Sequence, residues 1–387
     1  MIAREAAKML MEEMYFSTRV NRGREEEFTN AVQGYKKGDT VSIKVPPTPI
    51  VYSGATFAEG GSAAVFAETS VSLTLDTQKH TGLTFGATER LLEISDFKER
   101  ILRPSMSTLA ATVEADLILR ASKFTPNFVG TPGSVPTTMK TFAQARQKLQ
   151  MFLAPPSDRT MLMSTDSNTE LVDASKALFN PNEAISKQYR SGSMMGTAIG
   201  ADWFECVNLP SYGNTADIVM TVNGASQTGS TLVVSGNTSV TKGMKFTIAG
   251  VYAVHPLTGT ATTTLQQFVV TADSSTANLS IYPPITPTAP NKTVSASPAD
   301  TTALTFVGSA STSYRRSLMF HKDAFTVAFA PLPVLASCEG YTATMNGISV
   351  RVMTGGNFNA DTESTRVDVL YGIASPRPLH ACDVIEN

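Results

Sequence analysis

Cysteine is scarce in this 387-residue chain: Cys206, Cys338 and Cys382 are odd in number and widely spaced, which excludes a disulfide framework and fits a reducing compartment. An excess of one charge is missing too. Lys and Arg number 31 against 33 Asp and Glu, giving a net charge of −2 and a sequence pI near 6.1. With no global basic field, tight nucleic-acid binding by charge alone is excluded, and any contact with DNA is passive. No apolar run approaches a membrane span, and the opening MIAREAAKMLMEEMYF is charged throughout, without a signal-peptide core. A soluble protein made in the cytoplasm is expected.

Signatures of catalysis are also lacking. The sequence contains no G-x-x-x-x-G-K-[ST] loop, no H-E-x-x-H, no C-x-x-C pair and no G-x-S-x-G elbow. His80, His255, His321 and His380 are isolated from one another, so neither a metal site nor a cofactor is expected. His321-Lys322-Asp323 shares only letters with a phospholipase-type signature, which needs spacers; it reads as a strand-entry segment with a surface Lys and Asp. Glu89, Glu93, Asp96 and Glu99 crowd together, but Arg90, Lys98, Arg100 and Arg103 accompany them. That mixture suits ion pairs across a subunit interface or a solvated face better than a general acid and base.

What is present is a long helical signal from Ser95 to Phe124. Ile101, Met106, Leu109, Val113, Leu117 and Ala121 recur at helical spacing, with Glu114, Asp116 and Arg120 between them. Pro104 disfavours helix at Arg103, so a short lead-in and then a main helix of about 20 residues, roughly 30 Å, are expected. Ahead of it, residues 3–16 read as an amphipathic helix with Ala6, Met9, Leu10 and Met14 on one side, followed by a polar segment, RVNRGREEEF. A turn then leads into a strand carrying Val41, Ile43 and Val45. From Pro46 to about Leu83 two extended arms flank a Glu59-Gly60-Gly61-Ser62 tip. In the second arm Val65, Ala67, Val71, Leu73 and Leu75 share a face. Such a hairpin is marginal alone, and the surface it needs belongs either to the same chain or to a neighbouring subunit.

After a Gly- and Pro-rich loop, a mixed α/β stretch is expected: a helix over Phe142–Leu153, a strand RTMLMS, helices NTELVDASKALF and PNEAISKQYR, then a turn and a strand leading out of it in MMGTAIGADWFECVNLP. Between Ser211 and Thr312 only Asp217, Lys242, Lys245, Asp273, Lys292 and Asp300 are charged. Short strand-like runs there point to an inserted all-β barrel or sandwich. The mixed domain resumes at Ser313 and closes with strands GISVRVMTGG and ESTRVDVLYGI, joined through Asn357, Asn359 and Asp361; the tail after Pro376 looks irregular.

This order of parts resembles that of a tailed-bacteriophage major capsid protein with the Hong Kong 97-like fold. More narrowly it is similar to the coat-protein family of short-tailed Salmonella phages, which carries an inserted β-barrel. The stretches that carry the resemblance are TKGMKFTIAGV, VLYGIASPRP, YRSGSMMGTAIGADWFECVNLP and LMFHKDAFTVAFAPLP. It implies an α+β capsid fold with an N-terminal arm (1–44), an extended hairpin loop (45–84), and a peripheral domain (85–137 and 346–375) holding the spine helix (95–124). An axial domain (138–210 and 313–345), an inserted β domain (211–312) and a C-terminal tail (376–387) complete it.

The resemblance further implies a non-enzymatic shell subunit that forms pentamers and hexamers, closes an icosahedron around double-stranded DNA, and expands on maturation. Its partners would be copies of itself, a scaffolding protein supplied in trans, a portal protein and a decoration protein, with no membrane. It would be made in the bacterial cytoplasm and reside in the virion capsid. Contacts between subunits would fall on Tyr52, Phe57, Glu59, Phe66, Glu68, Val71, Leu73, Glu89, Arg90, Glu93, Lys98, Arg100 and Arg103. Two departures stand out. VNGASQTGSTLVV carries no charge, against salt-bridged contacts between capsomers through that loop, and no lysine lies between Val45 and Gln78, against a Lys-to-Asn crosslink from the extended loop. Two other readings remain: a fold-related protein-shell compartment, and a multi-domain β-rich adhesin or glycan-binding protein.

Overall fold

Apolar spacing decides the helices. The computed structural model describes residues 2–23, 38–45, 69–86, 103–175, 196–214, 219–236, 239–288, 291–357 and 362–387. Helix α1 (Ile2–Glu13) buries Ala6, Ala7 and Leu10, and Met14 just beyond it continues that buried side. Strands β1 (Thr40–Val45) and β2 (Thr69–Thr74) form a two-stranded sheet, and β3 (Thr77–Gly86) follows. Helix α2 (Arg103–Phe124) tolerates Pro104 because a first-turn residue needs no N–H partner within the helix. Its buried residues Met106, Leu109, Ala110, Val113, Glu114, Leu117 and Ile118 keep the three-and-four spacing expected.

Beyond α2 come β4 (Asn127–Val129), α3 (Met139–Met151) and β5 (Arg159–Met163). Helix α4 (Thr165–Ser175) starts three residues ahead of the expected Asn168 because the Ser164 hydroxyl accepts the Ser167 N–H at 3.2 Å, an N-cap. Strands β6 (Gly196–Ala198) and β7 (Ala201–Glu205) form a hairpin whose two-residue turn, Ile199 and Gly200, has φ of 53° and 70°, the signs of a type I′ turn. Then follow β8 (Tyr212–Asn214), β9 (Met220–Val222), β10 (Gly229–Ser235), β11 (Lys245–Val254), β12 (Ala261–Val270), β13 (Asn278–Ile285), β14 (Ala303–Phe306) and β15 (Thr312–Tyr314). The last six strands are β16 (Arg316–His321), β17 (Thr326–Ala330), β18 (Glu339–Met345), β19 (Ile348–Asn357), β20 (Thr362–Ala374) and β21 (Ala381–Ile385).

Two compact units result. One comprises Met1–Ile43, Ser70–Ile118 and Phe325–Pro376, the other Lys44–Thr69, Leu119–Ala324 and Arg377–Asn387. In the first, β20 is the hub of a five-stranded sheet. It pairs with β3 along Thr362–Tyr371 on one edge, and on the other with β19 along Thr362–Asp368 and with β17 along Leu370–Ala374. Strand β18 adds to β19 through a tight turn at Asn346-Gly347, again with both φ positive, and α1 packs on these two strands. In the second unit a six-stranded mixed sheet runs β4-β21-β16-β5-β7-β6, and α3 covers it with Phe142, Ala145 and Leu149 against Met161, Met163 and Trp203. A closed barrel, β10-β13-β12-β11-β14-β9, has its own core, with Phe246 and Phe268 stacked 5.5 Å apart.

Several expectations change. Residues 77–84, expected in the extended loop, belong to β3 because their backbone completes the edge of the five-stranded sheet. Residues 2–20 are not a free arm: Leu10, Met14, Phe16 and Val20 are buried, so this segment contributes to the first unit's core. The block 313–345 divides at Ala324/Phe325, since β16 pairs with β5 and β21 whereas β17 and β18 pair with β20 and β19. Residues 119–137 likewise fall with the six-stranded sheet rather than with 103–118. The tail after Pro376 is ordered; β21 is buried along its whole length and lies between β4 and β16, and β4 itself arises within the stretch expected as loop. The lead-in helix before Arg103, the polar stretch past Gly23, the hairpin tip, the helix at Pro181 and the turn at Asn359 and Asp361 lie outside the described residues.

Candidate functional site

Nearly all of the barrel strands are uncharged, so a buried lysine at the start of one of them stands out. Lys245, at the start of β11, is fully buried, and its Nζ lies 2.6 Å from Oδ2 of Asp383 on β21, itself fully buried. Arg316 on β16 approaches the same oxygen at 3.6 Å and donates from Nε to the Pro210 carbonyl at 2.7 Å. The Tyr212 hydroxyl on β8 accepts the Lys245 N–H at 3.1 Å. Burial pushes the Tyr212 phenol up to about 12. Burial also pulls Lys245 and Arg316 below their ordinary ranges, and Asp383 opposes that in both. Close by, just past the end of β21, buried Glu386 accepts hydrogen bonds from the Ser164 hydroxyl at 2.5 Å and from the Ser317 hydroxyl. The formal charges of the four buried groups, Lys245, Arg316, Asp383 and Glu386, cancel.

Three further contacts fasten the barrel near this cluster. The Gln267 amide on β12 makes two hydrogen bonds to Phe128 on β4, accepting its N–H at 3.0 Å and donating to its carbonyl at 2.8 Å, as a neighbouring strand would. Lys242 stands over the Phe124 ring, 4.7 Å from its centroid. At Gly243, where φ is +99°, a Cβ would come within 2.7 Å of Lys123 Cγ, so the turn before β11 approaches the end of α2 as only glycine allows. Sealed from solvent, the cluster offers nothing to a substrate; what it does is hold the barrel on the sheet. His321 and His380 also meet, edge to face at 6.1 Å, and burial first, then Arg377, brings His380 down to about 4.

A family model described as P22 coat protein, gene protein 5, matches residues 23–383. The chain belongs to the P22 coat protein family. It is the major capsid protein of a tailed bacteriophage, a structural component of the virion that assembles with copies of itself. Among solved structures the coat protein is similar to one from Mycobacterium phage Che8, with 13% identity, 96% of this chain and 90% of that chain covered, and a TM-score of 0.49. The capsid of cyanophage P-SCSP1u gives 11% identity, 93% and 92% coverage, and a TM-score of 0.43. A CUS-3 coat protein I-domain is 25% identical over 25% of this chain and 100% of that chain, with a TM-score of 0.20. No curated protein matches the coat protein by sequence.

Among the contact residues expected from sequence, Tyr52, Phe57, Glu59, Phe66, Glu68, Glu89, Arg90, Glu93, Lys98 and Arg100 lie outside the described residues. Leu73 is fully buried in the coat protein's own core with Ile43, Leu75, Ala328, Leu332 and Leu370, and Val71 packs at the margin of that cluster. This end of the hairpin therefore lies on its own chain, and Leu73 has no surface left for a neighbour. Arg103 is exposed at the start of α2. The Lys245–Asp383 pair escaped sequence reasoning because its partners are 138 residues apart. Alternation in KFTI places Phe246 and Ile248 in the barrel core and Lys245 on the opposite face, so the pattern marks Lys245 as an outward polar residue and gives no sign of its burial.

Proposed function

We propose that this coat protein adopts the Hong Kong 97-like arrangement and builds pentamers and hexamers that close into an icosahedral shell around double-stranded DNA. Strands β8 and β15, which pair from Tyr212↔Tyr314 to Asn214↔Thr312, carry this reading: the chain leaves for the barrel and returns from it side by side. The barrel is then an insertion into a subunit whose sheet is complete without it, and it stands on the outer face of the shell. The extended hairpin loop ahead of β3 reaches a neighbouring subunit, and Tyr52, Phe57, Glu59, Phe66 and Glu68, with Glu89, Arg90, Glu93, Lys98, Arg100 and Arg103, supply contacts. Weak interfaces repeated many times stabilise such a closed shell although each alone is modest.

A scaffolding protein in trans shapes the precursor in the host cytoplasm, a portal admits DNA, and the shell expands; a decoration protein can bind outside. The near-neutral charge fits an inner wall that does not hold DNA too tightly for packaging. Negative-stain electron microscopy and sedimentation of the chain, alone and with its scaffolding protein, test this. Closed shells or tubes of tens of nanometres are expected; a monomer under both conditions refutes it.

A further inference from the structure

Among the described residues, the five-stranded sheet ends in two strands that each pair on one side. At one edge, β18 pairs its backbone with β19 alone among the described residues, in unbroken register from Glu339↔Thr354 to Met345↔Ile348. At the other, β3 pairs with β20 alone among the described residues, also without a break from Gly86↔Thr362 to Thr77↔Tyr371. Natural proteins guard such edges with prolines, bulges or inward charges. Strand β18 (EGYTATM) has neither a proline nor a bulge, and it leaves Tyr341 79% exposed, with Leu335 just before the strand 54% exposed. Strand β3 has no proline or bulge either, and presents an exposed His80 and a half-buried Lys79. The single charge of β18 is acidic, Glu339, whereas β3 offers basic groups.

We propose that β18 of one coat subunit pairs edge to edge with β3 of the next copy, so that the sheet continues from subunit to subunit around a ring. Two different edges on opposite sides of one sheet form a head and a tail. Pairing β18 with β18 would stop at two copies and leave both β3 edges open, whereas head-to-tail pairing covers both edges in every copy and closes when the rotation allows. The opposite charges of the two edges favour the same choice. This pairing rests on the ring assembly proposed above.

Hydrogen–deuterium exchange of the full chain, measured on the free subunit and after assembly with scaffolding protein, tests it. Amides within 339–345 and within 78–82 should both slow at least tenfold on assembly. Slowing in one strand alone, or in neither, while shells form, overturns the edge pairing and leaves the ring reading intact; a chain that never assembles overturns both. Tyr341→Lys places a charge on the open edge at a side chain the subunit does not bury. It should leave the circular dichroism of the free subunit unchanged and lengthen the half-time of shell formation at least tenfold. Assembly at the wild-type rate overturns the pairing.

Discussion

Stability of the first unit should fall as pH rises from about 4.5 to about 7, because of one carboxyl group. Glu114 on α2 is fully buried, and its Oε1 accepts the N–H groups of Tyr15 at 2.9 Å and Phe16 at 2.8 Å, tying the segment after α1 to the helix. Burial raises its pKa from 4.5 to about 7, and the hydrogen bonds from Phe16 and Tyr15 pull the other way without cancelling that. Folded Glu114 therefore holds its proton more tightly than unfolded Glu114. Its contribution is fully present below pH 4.5 and is lost as pH passes through about 7. At about 1.4 kcal/mol per unit, the change is about 3 kcal/mol, a large part of a typical folding free energy.

Glu114→Gln keeps an acceptor for the two amides and removes the titration. Its new NH2 falls where Oε2 has no hydrogen-bond partner, which costs about 1–3 kcal/mol at every pH, so the slope is the clean readout rather than the absolute stability. Urea unfolding of the free subunit should be followed by far-ultraviolet circular dichroism at pH 5 and pH 8, since the single tryptophan, Trp203, reports on the other unit. Wild type should lose up to about 3 kcal/mol more than the variant between these two pH values. Parallel losses would refute the role given to Glu114.

Asp368 should show the opposite pH sign. Burial opposes its ionisation, but hydrogen bonds from Arg366, Arg351 and Gln78 outweigh burial and hold its carboxyl below the usual range. Its contribution is present at neutral pH and lost as pH falls through that depressed value, and Asp368→Asn should cost about 3–5 kcal/mol in urea unfolding at pH 7. Asp383→Asn, which strands the buried Lys245, should cost a similar 3–5 kcal/mol by thermal unfolding, while Lys245→Met with Asp383→Leu should recover much of it. Gly130→Ala should destabilise by more than about 1 kcal/mol, because φ there is +94° and a Cβ would run into the Ile385 carbonyl oxygen; a neutral melting temperature would contradict that packing.

The sequence displays those elements that carry their own period. Helix α2 is visible because its apolar residues repeat every three or four positions, and β19 and β20 because they are long and flanked by turn residues. The barrel strands show through the sudden loss of charge. Strands β4, β14 and β21 were missed for a common reason: three to five residues carry too little pattern, and each is fixed by partners distant in sequence. Asp383 illustrates the limit. An aspartate two residues from the end of a short apolar run looks like surface, and only the arrival of Lys245 makes it core. Glu114 was legible as a position but not as a burial, since a carboxylate between apolar helix positions is ordinarily solvated. The change of sheet within 313–345 was not legible because its place, a single 3-10 turn at Lys322–Ala324, is too short to look like a boundary.

The short β8–β15 neck has an evolutionary corollary. A lineage can discard or acquire the barrel by trading everything beyond Asn214 and Thr312 for a tight turn, without shifting the register of a single remaining strand. The change leaves a chemical scar all the same. With Lys245 gone, Asp383 and Arg316 lose the plug that sealed them, and water reaches a patch shaped for an ion pair. Coat proteins that never carried this barrel should therefore differ at these two positions, far from the junction, as clearly as they differ at the junction itself.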